Sequence, residues 1–466
     1  MRSTLYWFRN DLRLHDARAL QEAVAHAHAR QQSLLLVCVH DPAQEAETPW
    51  GFRRMGPHRR RFLAETWLDL QVALGALGQQ LVVLQGDPVT VLADLAQRFE
   101  VDCIFCEAIA APEEQAQVMA LQARQIRVHS TWQSSLLEPE SLPFDVLDLP
   151  AVFTPFRQLV ERAGTAPLPP LAPLTSLPAP PAVHGDNWPG QLLHPTQWLQ
   201  KNPITGAAGA DFKNTKHSNT PQPTAASAAS ASSTAATTSA KEAPAGRGGE
   251  SAALAHLAQY LTPPWPDRYK QTRNALQGQH TSSHWSPWLA TGAVSARTVW
   301  AHLQHYEKAH GANDGTYWLW FELLWRDYFR FLHLQHGRQL YVAKGLSQLP
   351  RPSHFPKDFQ RWCDGNTGEP IVDAGMRELA ATGYTSNRMR QIVASYLVHD
   401  LACDWRAGAA WFESQLIDFD VYSNQGNWLY ISGRGTDPRQ GRRFNPAKQT
   451  QDHDAEGRYR QRWLGR

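Results

Sequence analysis

The chain has little of what marks a secreted, membrane or metal-bound protein. Five cysteines occur in 466 residues, an odd and scattered set. That argues against a disulfide framework and fits a reducing compartment. Cys103 and Cys106 stand three apart inside the apolar word VDCIFCEA. A zinc or redox site needs more ligands or an exposed helix start nearby, so both are expected as buried strand residues and no metal is expected. No apolar run reaches membrane-spanning length, and MRSTLYWFRN lacks a signal-peptide core. The expectation is a soluble cytoplasmic protein with no membrane partner. Neither sign of charge dominates: the net charge is +2, so global electrostatics does not announce a nucleic-acid binder. Arginines do cluster, at Arg53, Arg54, Arg59, Arg60 and Arg61 and again at Arg434, Arg439, Arg442 and Arg443. Such runs read as solvated faces. There is no G-x-G-x-x-G and no P-loop, so a dinucleotide or ATP site is not supported.

What the chain has is tryptophan, 18 of them. Core filling accounts for most; base stacking and electron hopping are further uses. The length and a 42% hydrophobic fraction suit two domains with sizeable cores. In residues 1–135, strands at 4–8, from Leu34, at 81–84 and at DCIFCEA alternate with helices at 17–30, 57–77, from Pro88 and at 112–124, and IRVHS reads as a fifth strand. The alternation predicts a doubly wound parallel α/β sheet, which binds ligands beyond the C-terminal strand ends. Residues 136–250 read as a connector. Its 165–181 stretch is Pro-rich and its 220–240 stretch almost wholly Ala, Ser and Thr, so the region is expected to be a flexible linker on which Trp188 and Trp198 dock locally. Residues 251–466 form the second candidate domain, where order resumes at GGESAALAHLAQY, an Ala/Leu-periodic helix.

Residues 382–428 concentrate the chemistry. The 387–401 segment has helical length without Gly or Pro, and Asn387, Arg390 and Gln391 share one face of it. The apolar run 409–419 ends in Asp418 and Asp420, and a turn-rich stretch with Asn424 follows. Arg with Asp is a natural bidentate pair, and an Asn amide both donates and accepts, which suits a heteroaromatic ring that gains a proton on reduction. Alone, the stretch also reads as a helical domain with one buried ion pair and solvated turns. Upstream, Ser282, Ser283 and Ser286 form a hydroxyl-rich turn before a helix, suited to phosphate oxygens or to simple N-capping. Glu322 and Arg326 stand at i and i+4 with Trp325 between them. A surface salt bridge is the generic reading, but YWLWFELLWRDYFRFLHL is too aromatic for that alone.

The words TGYTSNRMRQIVASYL, DWRAGAAWFE and SNQGNW resemble the flavin-binding domain of the photolyase/cryptochrome family, in particular its cryptochrome DASH group. The match extends over nearly all of the chain outside 165–245. WFRNDLRLHD, from Trp7, resembles the family's N-terminal signature; its charged residues are read as inter-domain pairing and turn chemistry. The resemblance implies an α/β domain joined by a long linker to a helical FAD-binding domain. It implies FAD held by Ser282, Ser286, Asn387, Arg390, Asp418, Asp420 and Asn424. Tyr269 and Ser283 would lie by the pyrophosphate arm, with Glu322 and Arg326 also at the cofactor. Arg390 would pair with Asp418, and Asn424 would face the flavin N5.

In relatives a Glu matching Glu107 contacts a folate antenna, here methenyltetrahydrofolate; the alternative is a solvent-facing acid. Glu322, Trp325, Asn387, Arg388, Gln391 and Tyr430 would contact a flipped-out pyrimidine dimer. Gln391 and Tyr430 follow the DASH pattern and imply a preference for single-stranded or looped DNA. The implied activity is light-driven repair by a monomer; the alternative is a blue-light receptor with the same pocket. A nucleotide-using α/β enzyme with a helical extension is a third reading.

Three features depart from the pattern. Trp428 and Trp405 match the first two members of the family's photoreduction chain. The third is absent from RPSHFPKDF, so Tyr341 or Trp362 substitutes or the chain is impaired. Gly375 stands where relatives usually have Asn. Near the end, Arg434 and Thr436 also differ, and no long regulatory tail is expected. The cysteines are not the set an iron–sulfur relative needs.

Overall fold

The computed structural model describes residues 2–182, 188–200 and 246–465 apart from 438 and 440. The 220–240 tract lies outside the described residues. Strands β1 (Ser3–Phe8), β2 (Ser33–His40), β3 (Leu81–Gln85), β4 (Val101–Glu107), β5 (Val128–Thr131) and β6 (Gln191–Leu192) form one sheet in the order β5-β4-β1-β2-β3-β6. The first five are parallel, and β6 runs antiparallel to β3. Helices cover both faces. Arg18–Arg30 and Pro57–Ala76 pack on Tyr6, Phe8, Leu34 and Leu36; Pro88–Arg98 and Pro112–Ala123 cover Leu5, Trp7, Val37 and Ile104. Burial on both sides is why β1 and β2 are apolar nearly throughout rather than alternating. Cys103 and Cys106 are buried strand residues, and all five cysteines are free. Strand order reverses at β1, so the crevice for a ligand opens at the C-terminal ends of β1, β2 and β4.

The connector differs from expectation in its Pro-rich part, which is laid against the sheet domain rather than free. The Leu171 N–H donates to Asp16 at 3.0 Å, the Leu34 N–H to the Ala179 carbonyl at 3.0 Å, and Gln79 to the Pro178 carbonyl at 2.5 Å. These bonds satisfy the backbone that prolines leave without donors of their own. Further on, Trp198 is buried against Trp67 and His40 (ring centroids 5.3 and 4.8 Å apart), and Trp188 packs on Phe99.

The second domain is helical. Its spine is the helix Asp314–His336, opened by an Asn313 capping box. It packs against Trp265–Thr272 and Val421–Ser432. Asn387–Ser395 continues into a wider π-turn at Tyr396–Asp400, so the stretch read as one helix changes pitch near its end. Gly375 leaves room that Met389 fills: a Cβ there would lie 2.4 Å from the Met389 sulfur.

Buried ionic contacts lock the two domains together. Arg297 grips Asp16 with two 3.0 Å bonds, both side chains at most 1% exposed. Arg13 donates to the Gly292 carbonyl, and Glu250 accepts the Leu14 and His15 N–H groups. The arginines at 54–61 are not merely solvated: Arg54 bridges Glu113 and Glu413, and buried Arg60 meets Glu45. Arg434 is likewise buried, on the Pro350 carbonyl. No helix among the described residues is long and apolar enough to cross a membrane.

Candidate flavin and substrate site

The helical domain holds a cavity of about 230 Å³. Tyr269, Ser282, Ser283 and Ser286 line one wall, Glu322 and Arg326 another. Asn387, Arg390, Asp418 and Asp420 close it. A smaller hollow of about 90 Å³ shares the last four and adds Gln391, Asn424 and Trp428. The residues that the sequence placed at one site therefore meet here from five separate segments.

Its charges are paired. Arg390 donates to Asp418 at 2.9 Å and to the Thr385 carbonyl at 2.9 Å, and the Ser286 hydroxyl donates to the same carboxylate at 2.6 Å. Asp420 caps the helix Val421–Ser432 through the Ser423 N–H and accepts from Arg330 at 2.6 Å. Burial alone would raise the Asp420 pKa, but Arg330 and Arg326 beside it hold it down to about 2. Glu322 pairs with Arg273, not with Arg326 one turn on. Arg326 instead donates to the carbonyls of Ser134 and Leu289. Burial pushes the Glu322 carboxyl up against the opposing pull of Arg273. The Asn424 amide donates to the Ala409 carbonyl at 3.0 Å.

Several buried polar atoms at this cavity have no partner among the described residues: Asp418 Oδ1, His284 Nε2 and Trp285 Nε1. Such atoms are costly unless a ligand or water meets them.

Trp325 and Tyr430 lie across the helix crossing, in a separate hollow of about 280 Å³. Tyr430 follows Trp428 by two residues, roughly 200° around the helix, so the two face opposite sides. Phe153 stacks on Trp325 at 3.9 Å with 10° between planes, and Tyr430 meets Trp325 edge-on at 5.9 Å. Arg442 lies over Tyr430 at 4.8 Å. Arg388 reaches neither hollow; it donates to Asn274 at 2.9 Å and covers Phe444.

A third space of about 890 Å³ separates the domains at the crevice the strand order predicts. Trp7, Arg9 and His40 come from strand ends, Glu114 and Gln117 from the helix after β4, and Tyr341, Trp405 and Arg406 from the helical domain. Glu107 does not line it. Its side chain is 1% exposed, neither solvent-facing nor in the cleft, and both carboxylate oxygens lack a partner among the described residues. It borders a void of about 10 Å³ with Asn10, Gln133, Arg326 and Arg330. Burial, helped by the nearby Asp11 carboxylate, lifts its pKa to about 8.

Residues 4–174 match the family model described as DNA photolyase, and residues 318–466 match the FAD binding domain of DNA photolyase. Cryptochrome DASH of Gloeobacter violaceus is 40% identical over 99% of this chain and 85% of that one. The chain belongs to the photolyase/cryptochrome family. Further relatives matched over nearly the whole chain include other cryptochromes DASH. The crystal structure of a Synechocystis cryptochrome superposes with a TM-score of 0.85 at 36% identity, covering 100% of this chain and 89% of that one. A class III photolyase from Agrobacterium tumefaciens gives 0.74 at 27% identity, covering 100% and 87%.

The residues present fit the flavin that such a domain binds. Unpaired acceptor and donor atoms face one cavity, as a cofactor with ring N–H groups and phosphate oxygens requires. Reading the sequence missed Arg273, Arg330 and Phe153. Their partners are fixed by tertiary docking, and only the basic word YKQTR beside Tyr269 hinted at the first.

Proposed function

We propose that the chain is a blue-light-dependent flavoprotein that repairs cyclobutane pyrimidine dimers in single-stranded or looped DNA. The observation that carries this reading is the pair of hollows either side of one helix crossing. One is polar and paired, suited to a cofactor; the other is aromatic, with Trp325 and Tyr430 on its wall and Arg439 and Arg442 at its edge. FAD would be held by Ser282, Ser286, Asn387, Arg390, Asp418, Asp420 and Asn424, with Tyr269, Ser283 and Arg326 around it. Bound, reduced and excited by light, it supplies the electron that opens the dimer and takes that electron back.

The protein's own residues orient and exclude water. Trp325, stacked on Phe153, and Tyr430, edge-on to it, offer the aromatic wall against which bases would stack. Aromatic stacking tolerates any base, and unpaired strands cost least to open. Glu322, with its carboxyl raised by burial, can share a proton with a base edge while Arg273 fixes its position. Asn387 and Gln391 line the polar hollow on the cofactor side instead. Arg388 lies outside both hollows and suits the DNA backbone instead.

The interdomain cleft is the proposed place of a second, light-gathering chromophore, methenyltetrahydrofolate. Glu113 and Glu114 suit pterin N–H groups, and Arg54, Arg338 and Arg406 suit a carboxylate tail. Glu107 has no part in that contact.

The test is repair of a thymine dimer by chemically reduced protein under blue light, in a single strand and in a duplex, with dark controls. Repair confined to the single strand is expected. No repair of either, with FAD bound and reduced, would leave photoreception as the function.

A further inference from the structure

Phe153 lines the aromatic hollow with Trp325 and Tyr430, yet the proposed chemistry gives it no task. Its ring stacks on Trp325 at 3.9 Å with 10° between planes, the closest ring pair among the described residues. The next closest, Trp265 on His280, stands at 4.3 Å and 20°. The rings of Tyr328, Phe329 and Tyr430 meet Trp325 tilted or edge-on, at 5.8, 5.5 and 5.9 Å. An edge contact leaves a ring room to tilt; a parallel contact at van der Waals distance does not. Phe153 is itself held, since Phe321 and Tyr328 meet it edge-on, both at 78°. It is 3% exposed, whereas Trp325 is only half-buried. The pair is thus a fixed inner ring behind an outer ring on the wall of the hollow.

The chain brings Phe153 there from outside the helical domain. It opens the helix Phe153–Ala163 of the connector. That connector is pinned along the helix Asp314–His336, which also carries Trp325. The buried Asp327 carboxylate accepts the N–H groups of Leu136 and Leu137, each at 2.8 Å. The Tyr328 hydroxyl donates to the Pro150 carbonyl at 3.0 Å, and Gln335 to the Leu147 carbonyl at 2.7 Å. Arg157 donates to the Tyr317 hydroxyl at 2.5 Å. Separating buried groups that satisfy each other is costly, so Phe153 cannot follow a drifting Trp325. Phe156, one turn on, differs. It is fully buried, lies outside the hollow, and has only tilted or edge-on ring neighbours among the described residues. Phe156 fills the core; Phe153 sets a plane.

From this geometry we infer that Phe153 is a positioning residue for the substrate. It holds the Trp325 ring in the plane that a base of the pyrimidine dimer meets, before the DNA arrives. The inference rests on the substrate reading above. A ring left free to turn has to be ordered by the ligand itself, and ordering one side chain on binding weakens affinity about two- to tenfold. Undamaged single strands, whose bases stay outside the hollow, owe little to that plane.

The test uses FAD-loaded protein and labelled single strands with and without a thymine dimer. Phe153→Leu keeps the apolar bulk and removes the flat face. Its Kd for the dimer strand should rise about fivefold, and its Kd for the undamaged strand by less than about twofold. In repair, the KM for the dimer should rise by a like factor with kcat held within about twofold, a split that a collapsed core does not give. In a Trp325→Leu background, Phe153→Leu should change the Kd no further. A separate readout needs no DNA. With fluorotryptophan in place of tryptophan, Trp325 should give one narrow fluorine resonance, assigned by its loss in Trp325→Phe, that broadens or splits in Phe153→Leu. Four results each overturn the inference and leave the substrate reading standing: dimer affinity unchanged in Phe153→Leu, losses that multiply with Trp325→Leu, a Trp325 resonance already broad in the parent, or FAD lost along with affinity. Parent protein, with FAD bound and reduced, that holds the dimer strand no better than the undamaged one overturns both.

Discussion

The flavin cavity and the interdomain cleft are built in opposite ways. The first is walled by helices of one domain, and its charges stand in close pairs: Arg390 with Asp418, Arg330 with Asp420, Arg273 with Glu322. The second takes walls from both domains and edges them with more exposed bridges such as Arg54 between Glu113 and Glu413. The Asp418 and Arg330 side chains are each 2% exposed, whereas Arg54 and Glu113 are 29% and 65% exposed. A buried charge depends on its partner, while an exposed one has water. The cavity is thus preorganised by the fold of one domain and intolerant of change. The cleft owes its shape to docking and is adjustable.

The comparison breaks hardest at Asp418. Asp418→Ala removes the acceptor shared by Arg390 and Ser286 and leaves a guanidinium facing the cavity without its counter-charge. The cost of breaking a buried pair is about 3–5 kcal/mol; Arg390 retains some access to the cavity, so about 3 kcal/mol is expected. Denaturant midpoints check it, and the purified variant should have lost most of its yellow colour. Asp418→Asn keeps shape and one acceptor and should lose less stability. Unchanged stability with FAD retained would mean the pair is not what holds the cavity floor.

The seam between the two regions supplies the next test. Glu107 is enclosed there, facing Asp11, Arg9 and Arg13 from its own domain and Arg330 and Tyr422 from the other. Its folded pKa of about 8 stands above its ordinary value of 4.5, so the folded state keeps a proton that the unfolded chain releases. The contribution is fully present below the unfolded value and is lost as pH rises through about 8. Glu107→Gln stays neutral throughout. It should be more stable than the parent at pH 8 by on the order of 4 kcal/mol, with the difference vanishing near pH 4. Asp420 runs the other way. Lowered from 3.8 to about 2, it contributes above pH 3.8 and loses that contribution as the pH falls toward 2. Urea midpoints from pH 3 to 9 for both proteins would show whether the seam and the cavity titrate in opposite senses.

These two carboxylates also show what the sequence could tell. The pairing of Arg390 with Asp418 came from the resemblance; the residues alone offered a guanidinium on one helix and two carboxylates at the end of the next, and left the partner open. Asp420 was legible as a site residue but not as the partner of Arg330, which lies 90 residues away. The generic i, i+4 pairing of Glu322 with Arg326 does not form for the same reason: Arg273, 49 residues earlier, takes Glu322 once Trp265–Thr272 packs on the long helix. Glu107 was misplaced because β4 ends buried on both faces, so the alternation that tells one side of a strand from the other is missing. The sheet was readable from short apolar runs set between helical segments. The short edge strand β6 and the docked Pro-rich stretch were not, since two residues or a run of prolines carry no period.

The smallest effect is expected at the cleft. Arg54→Met removes the contacts to Glu113 and Glu413 while keeping the apolar stem that lies along the wall. Both acids keep water, and Arg59 remains beside Glu413 with its guanidinium over Phe419 at 4.4 Å. The loss should stay under about 1 kcal/mol, a change of a few degrees or less in Tm. FAD content should be unchanged, because no atom of the flavin cavity is touched. Binding of methenyltetrahydrofolate, followed by its fluorescence on titration into FAD-loaded protein, should weaken severalfold, because the substitution removes a cation from the wall proposed to meet the folate's carboxylates. A large stability loss here, equal to that at Asp418, would mean the cleft is as rigidly built as the cavity, and the contrast between them would fall.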